Sequence, residues 1–193
     1  MQQLIHVEQI VQDIKDIKIQ GATNIAKAAF EIIISESKSQ NFISFEEYSE
    51  FVNRAMQLLI DARPTEPMLF NGMDYIKAQI AKVQTSDLET LKKTVIEAAE
   101  YYLNLINETA ERAVLNGLGI IHDGDNVLTH CHSSSAVKTL KLHKTKGLKF
   151  KVYNTETRPL FQGRRTAQDL IQNGIDTTMV VDGVAPFLMD EES

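Results

Sequence analysis

NVLTHC (126–131), SSSAVKTLKLHKTKG (133–147), LKFKVYNTE (148–156), RRTAQDLIQNG (164–174) and TTMVVDG (177–183) follow one another with short joins, and their order decides the fold. The first, third and fifth are short apolar runs of strand type. The second and fourth have helical spacing and close on Gly147 and Gly174. Strand–helix–strand–helix–strand with connections this short predicts a parallel sheet with right-handed crossovers. VAPFLMDEES (184–193) would begin one more helix. Three parallel strands leave a face or an edge thinly covered, whereas parallel sheets are normally buried on both faces. The expectation is therefore either a chain cut short or a sheet completed by oligomerisation.

Working back from Asp123, residues 1 to about 119 read as helix after helix. Leu4, Val7, Val11 and Ile14 keep the three-and-four spacing of one helical face, and Gly21 breaks it. Ile25, Ala28, Ala29 and Ile32 are expected to share the next face. Ser44 with Glu47 forms a capping box before FEEYSEFVNRAMQLLI (45–60). Pro64 and Pro67 bound a joint, with a helix expected from about Glu66 to Val83. Ser86 with Glu89 repeats the capping box ahead of a long helix to about Asn116, closed by Gly117 and Gly119.

The formal net charge of −6 argues against a general nucleic-acid surface, which needs net positive charge or a basic stripe. A local anion pocket stays open. One cysteine, Cys131, cannot staple a fold, so a reducing compartment and a cytoplasmic location are expected. No apolar run is long enough to cross a bilayer, and no membrane partner is expected.

Ligands of open parallel sheets gather beyond the carboxyl ends of the strands. Three segments fall there: His130 to Ser135, Asn154 to Arg165, and Asp182 with Gly183. Serines and backbone N–H groups at a helix start cradle phosphate, and Arg158, Arg164 and Arg165 can add charge-assisted bonds. A cysteine there has its thiolate favoured. These residues suggest a pocket for a phosphorylated small molecule around Cys131. Blander accounts stand beside each: a small core hydrophobe for Cys131, a helix cap for the serines, solvated charges for the arginines. His130 and His132 would point away from Cys131 on an extended strand, so no metal site is expected. Without Gly-x-Gly-x-x-Gly or a Walker-type lysine loop, a dinucleotide or nucleotide-triphosphate motor is disfavoured, and no cofactor is expected.

The strings DGDNVLTHCHSSSAV (123–137), VYNTETRPLFQGRRTAQDL (152–170) and GIDTTMVVDGV (174–184) resemble the superfamily of initiation factor 2B alpha, beta and delta subunits. That group includes ribose-1,5-bisphosphate and methylthioribose-1-phosphate isomerases. IQGATNIAKAA (19–29) and ARPTEPMLFNG (62–72) look like its Arg-Gly-Ala and Arg-Pro-Thr segments. The resemblance implies an α/β fold: a helical amino-terminal domain (1–119) followed by the first part of an incomplete Rossmann-like parallel sheet (120–193). It also implies a homo-oligomer.

In the isomerase branch a cysteine and a downstream aspartate move a proton between the first two sugar carbons. Cys131 matches that cysteine. Gly21, Ala22, Arg63 and Arg158 match positions that meet substrate phosphate, while His132 and Ser133 flank the thiol and Arg164 and Arg165 lean towards a second phosphate. Gln20 stands where isomerases carry arginine. The segment holding the aspartate has no match, and Asp182 is not its counterpart. The expectation is an isomerase of ribose-1,5-bisphosphate type, weak or inactive as these 193 residues. The alternative is a non-catalytic, initiation-factor-like subunit binding partners and a sugar phosphate or nucleotide.

Overall fold

The computed structural model describes residues 4–84 and 86–191. Two compact units divide the chain, 1–107 and 108–193.

The first unit is built from α1 (Ile5–Lys15), α2 (Ala22–Ser39), α3 (Phe45–Ala62), α4 (Pro67–Val83) and most of α5 (Leu88–Asn116). α1 packs on α2 and α3, and α4 packs on the same two helices. Val7, Val11 and Ile14 bury the expected stripe of α1. In α2 the buried stripe is turned from the expected one: Ile25 and Ala29 are joined by Ala26, Phe30 and Ile33, while Ala28 and Ile32 are only half-buried. The aromatic ring of Phe30, set 5.2 Å from that of Tyr102, takes the central position, and a side chain of that volume dictates which face turns inward.

The Ser44 cap forms as expected. Its hydroxyl accepts from Glu47 N–H at 3.1 Å, and the Glu47 carboxylate reaches back to Ile43 N–H at 2.8 Å. The second expected capping box is corrected. Asp87, not Ser86, caps α5, its carboxylate accepting from both the N–H (2.8 Å) and the hydroxyl (2.7 Å) of Thr90. A charged acceptor at the positive end of a helix outcompetes a neutral hydroxyl one residue earlier. α4 begins with Pro67, capped by the Glu66 carboxylate. Tyr48 is fully buried. Its hydroxyl donates to Ser37 at 2.8 Å, and Ser37 donates on to the Ile33 carbonyl.

The second unit holds β1 (Asn126–Thr129), α6 (Ser134–Thr145), β2 (Lys151–Thr155), α7 (Gln162–Gln172), β3 (Asp176–Val180) and α8 (Ala185–Glu191). The strands form one parallel sheet in the order β1-β2-β3. Its register sets Val127, Val152 and Thr177 side by side, and likewise Thr129, Asn154 and Met179. α6 and α7 contact each other, and α7 packs on β2 and β3. Val137 and Leu140 of α6 and Leu170 of α7 meet Val152, Phe150, Ile121 and Ile175 in a small core. The α/β class and the three-stranded parallel sheet agree with the sequence reading. β1 is shorter than expected, ending at Thr129 where NVLTHC was read as strand to Cys131. α7 starts two residues ahead of Arg164.

Candidate functional site

The chain leaves β1 at Thr129 and turns sharply at Cys131, whose φ of 63° is left-handed. The expected alternation of His130, Cys131 and His132 along an extended strand is therefore corrected, because the backbone is not extended there. A left-handed non-glycine residue costs of order 1–3 kcal/mol and persists only where its surroundings over-determine it. Here they do. Cys131 N–H donates to the Thr157 hydroxyl oxygen at 2.8 Å, and its carbonyl accepts from the Thr166 hydroxyl at 2.9 Å. The side chain is half-buried rather than a core hydrophobe.

Thr157 is itself left-handed (φ 61°). Its N–H and that of Arg158 donate to the two oxygens of Asp182, each at 2.8 Å, tying the end of β2 to the segment after β3. The Arg158 N–H, with lesser help from Thr157 N–H, the Thr155 hydroxyl and His130, holds the Asp182 carboxyl below the usual carboxylate range against the opposing effect of burial. All three segments expected beyond the strand ends thus meet through hydrogen bonds.

The arginines share a buried partner. Glu156, 7% exposed, accepts from Arg158 Nε at 2.7 Å and lies 4.0 Å from Arg164 Nη2. The Arg164 guanidinium stacks over the Phe161 ring at 4.1 Å, with that of Arg158 at 5.4 Å. Both arginine side chains stay more than half exposed, so donors remain for an anion. Gly163 makes the arrangement possible: a Cβ there would lie 1.8 Å from the Thr155 carbonyl oxygen, so only glycine lets α7 come this close to β2. Asn154, buried in β2, donates to the Gly163 carbonyl at 2.7 Å.

Ser133 caps α6, its hydroxyl accepting from Ala136 N–H at 3.3 Å. His132 Nδ1 lies 2.9 Å from the Thr166 hydroxyl and His130 Nδ1 2.6 Å from that of Thr155. Desolvation, with Arg165 and Lys141, pulls the His132 imidazole below its ordinary value, partly opposed by Asp169. Cys131, His132, Ser133, Arg158 and Arg164 therefore belong to one loop cluster of the second unit. Gly21, Ala22 and Arg63 belong to the first: Gly21 (φ 85°) caps α2, Ala22 opens it, and Arg63 follows the last turn of α3. All three are exposed.

Sequence reasoning passed over Thr157, Thr166, Glu156, Phe161 and Gly163. The only cue to them was their place inside the TETRPLFQGRRT string (155–166). Among the described residues, no three His, Cys, Asp or Glu side chains gather as a metal ion would need, and no helix is long and apolar enough to cross a membrane.

Comparison with known proteins follows the same lines. The ribose 1,5-bisphosphate isomerase of Pyrococcus furiosus is 37% identical over 186 residues, covering 95% of this chain and 57% of that protein. Translation initiation factor eIF-2B of Pyrococcus horikoshii superposes with a TM-score of 0.83 at 21% identity, covering 98% of this chain and 64% of the other. A chain of the tetrameric eIF2B-beta2-delta2 complex of C. thermophilum gives 0.74 at 18%, covering 95% and 62%. The last two likenesses establish the fold, and the chain spans less than two thirds of the length of each of the three. Residues 18–191 match one family, running from just after α1 through the sheet with its Cys131 turn: the chain belongs to the Initiation factor 2 subunit family.

Proposed function

We propose that this chain carries the thiol-bearing part of a sugar-phosphate aldose–ketose isomerase of ribose-1,5-bisphosphate isomerase type. The observation that carries the reading is Cys131, held by Thr157 and Thr166 in a left-handed turn at the carboxyl end of a parallel sheet beside two solvent-reaching arginines. The 37% identity to the Pyrococcus furiosus isomerase supports the same class. Converting an aldose phosphate to a ketose phosphate removes a proton from the second carbon and returns one to the first. No electron leaves the substrate, so the step needs no redox partner. Cys131 Sγ supplies one proton-transfer group. Arg158 and Arg164 bind phosphate, Ser133 and the α6 start add donors, and His132 flanks the thiol. Gly21, Ala22 and Arg63 are proposed phosphate contacts of the first unit.

Proton transfer in this chemistry uses a second acid–base group, and such groups contribute roughly 10²–10⁴-fold each. These 193 residues alone are therefore expected to turn over slowly. A cytoplasmic homo-oligomer acting without nucleic acid is the accompanying expectation.

A phosphorus NMR time course on ribose 1,5-bisphosphate, beside Cys131→Ser, tests the reading. Turnover that vanishes in the variant supports it. Bound substrate without turnover, even with the segments that follow in longer relatives supplied, would replace it with a non-catalytic binding subunit.

A further inference from the structure

The two rings beside Cys131 each meet a threonine hydroxyl through Nδ1, and the pair formed by His132 and Thr166 has a definite direction. A hydroxyl has one proton to give. Thr166 gives its proton to the Cys131 carbonyl at 2.9 Å. The 2.9 Å contact between Thr166 Oγ1 and His132 Nδ1 therefore needs its proton from the ring. Nδ1 is then the protonated nitrogen, and in the neutral ring Nε2 carries a lone pair. Among the described residues Nε2 has no partner, and His132 is only half-buried. Thr166 is itself buried, at 1% exposure, so water does not compete for its hydroxyl.

We propose that Thr166 is a positioning residue that holds His132 in the Nδ1–H form, so that Nε2 accepts a hydrogen bond from a sugar hydroxyl beside the Cys131 thiol. This rests on the isomerase reading for its ligand but not for its tautomer. The chemistry separates ligands. A sugar phosphate brings hydroxyl donors, whereas sulfate, fully ionised at neutral pH, has none to give Nε2. The charged groups facing the ring are Arg165 and Asp169 of α7 and Lys141 of α6, with Lys141 and Asp169 paired at 3.3 Å. The two cations and desolvation favour the neutral ring that this role needs.

The test is nitrogen-15 NMR of the His132 ring in the parent, Thr166→Val and Thr166→Ser, with and without ribose 1,5-bisphosphate. Without ligand, the parent and Thr166→Ser are expected in the Nδ1–H form, and Thr166→Val is expected to shift towards Nε2–H. Sugar phosphate should move the Nε2 resonance in the first two, sulfate should not, and Thr166→Val should bind sugar phosphate about fivefold to tenfold more weakly, the size of one neutral hydrogen bond. Native-like spectra of the valine variant show that it folds, and the serine variant carries the comparison if it does not. A parent ring protonated at Nε2, or sugar phosphate bound by phosphorus NMR with Nε2 unmoved, overturns the proposal. Absence of any sugar-phosphate binding overturns the isomerase reading and the ligand half of this one, while the ligand-free spectra still decide the tautomer.

Discussion

Asp182 shows how much of this site rests on single side chains. Its two oxygens take the N–H groups of Thr157 and Arg158, and Thr157 in turn takes the N–H of Cys131. Replacing one oxygen by an amide nitrogen puts a donor against a donor. Asp182→Asn should loosen the Cys131 turn and lower turnover and phosphate binding. The pH dependence has a definite sign. A carboxyl held below its unfolded value contributes stability above that value and loses it as the pH falls through the folded one. Urea midpoints of the parent and Asp182→Asn should therefore differ most at neutral pH and converge below about pH 4, the ordinary aspartate range. A gap that stays constant with pH would remove the charge from the account.

At the scale of elements, α7 is placed by one contact that no other residue permits. Gly163→Ala would push a methyl group to 1.8 Å from the Thr155 carbonyl, so the first turn of α7 must move. Overpacking against backbone costs about 3 kcal/mol. Because Arg164 and Thr166 ride on that turn, phosphate binding should fall along with the melting temperature. Helix caps act more locally. Asp87→Ala removes the acceptor of both Thr90 bonds and should cost about 1 kcal/mol, readable as a lowered urea midpoint with no loss of ligand binding. Ser86→Ala should leave the midpoint within about 0.5 kcal/mol. An equal loss in both would return the cap to Ser86.

At the scale of the whole molecule, two separate hydrophobic clusters among the described residues carry stability, one in each unit. The smaller gathers around Val152 and Leu170, both without exposed surface. Leu170→Ala should cost about 2–5 kcal/mol and abolish binding at the Cys131 turn, because the lost volume lies beneath α7. β3 is an edge of the three-stranded sheet, and Met179 and Val181 are about half exposed there. Parallel strands seldom stand open. Sedimentation at micromolar concentration is accordingly expected to find a dimer or larger assembly, and a monomer throughout would defeat the oligomer reading.

The sequence by itself determined what local periodicity and strings can carry. Alternating runs from Asn126 to Val181 specified a three-stranded parallel sheet, three-and-four spacing specified the helices, and THCHS marked the turn at which the chemistry is proposed. Each depends on residues a few positions apart, where backbone geometry imposes a period. Only the tertiary structure decided the left-handed turn at Cys131, the buried Glu156 between two arginines, the place of Thr166 and the inward face of α2. Apart from Glu156, whose arginines lie in the same loop and the helix it enters, those follow from partners 25 or more residues apart, such as Asp182 with Thr157 and Thr166 with Cys131. Such contacts form between elements after they have packed, and hydrogen bonds made that way leave no period in the chain.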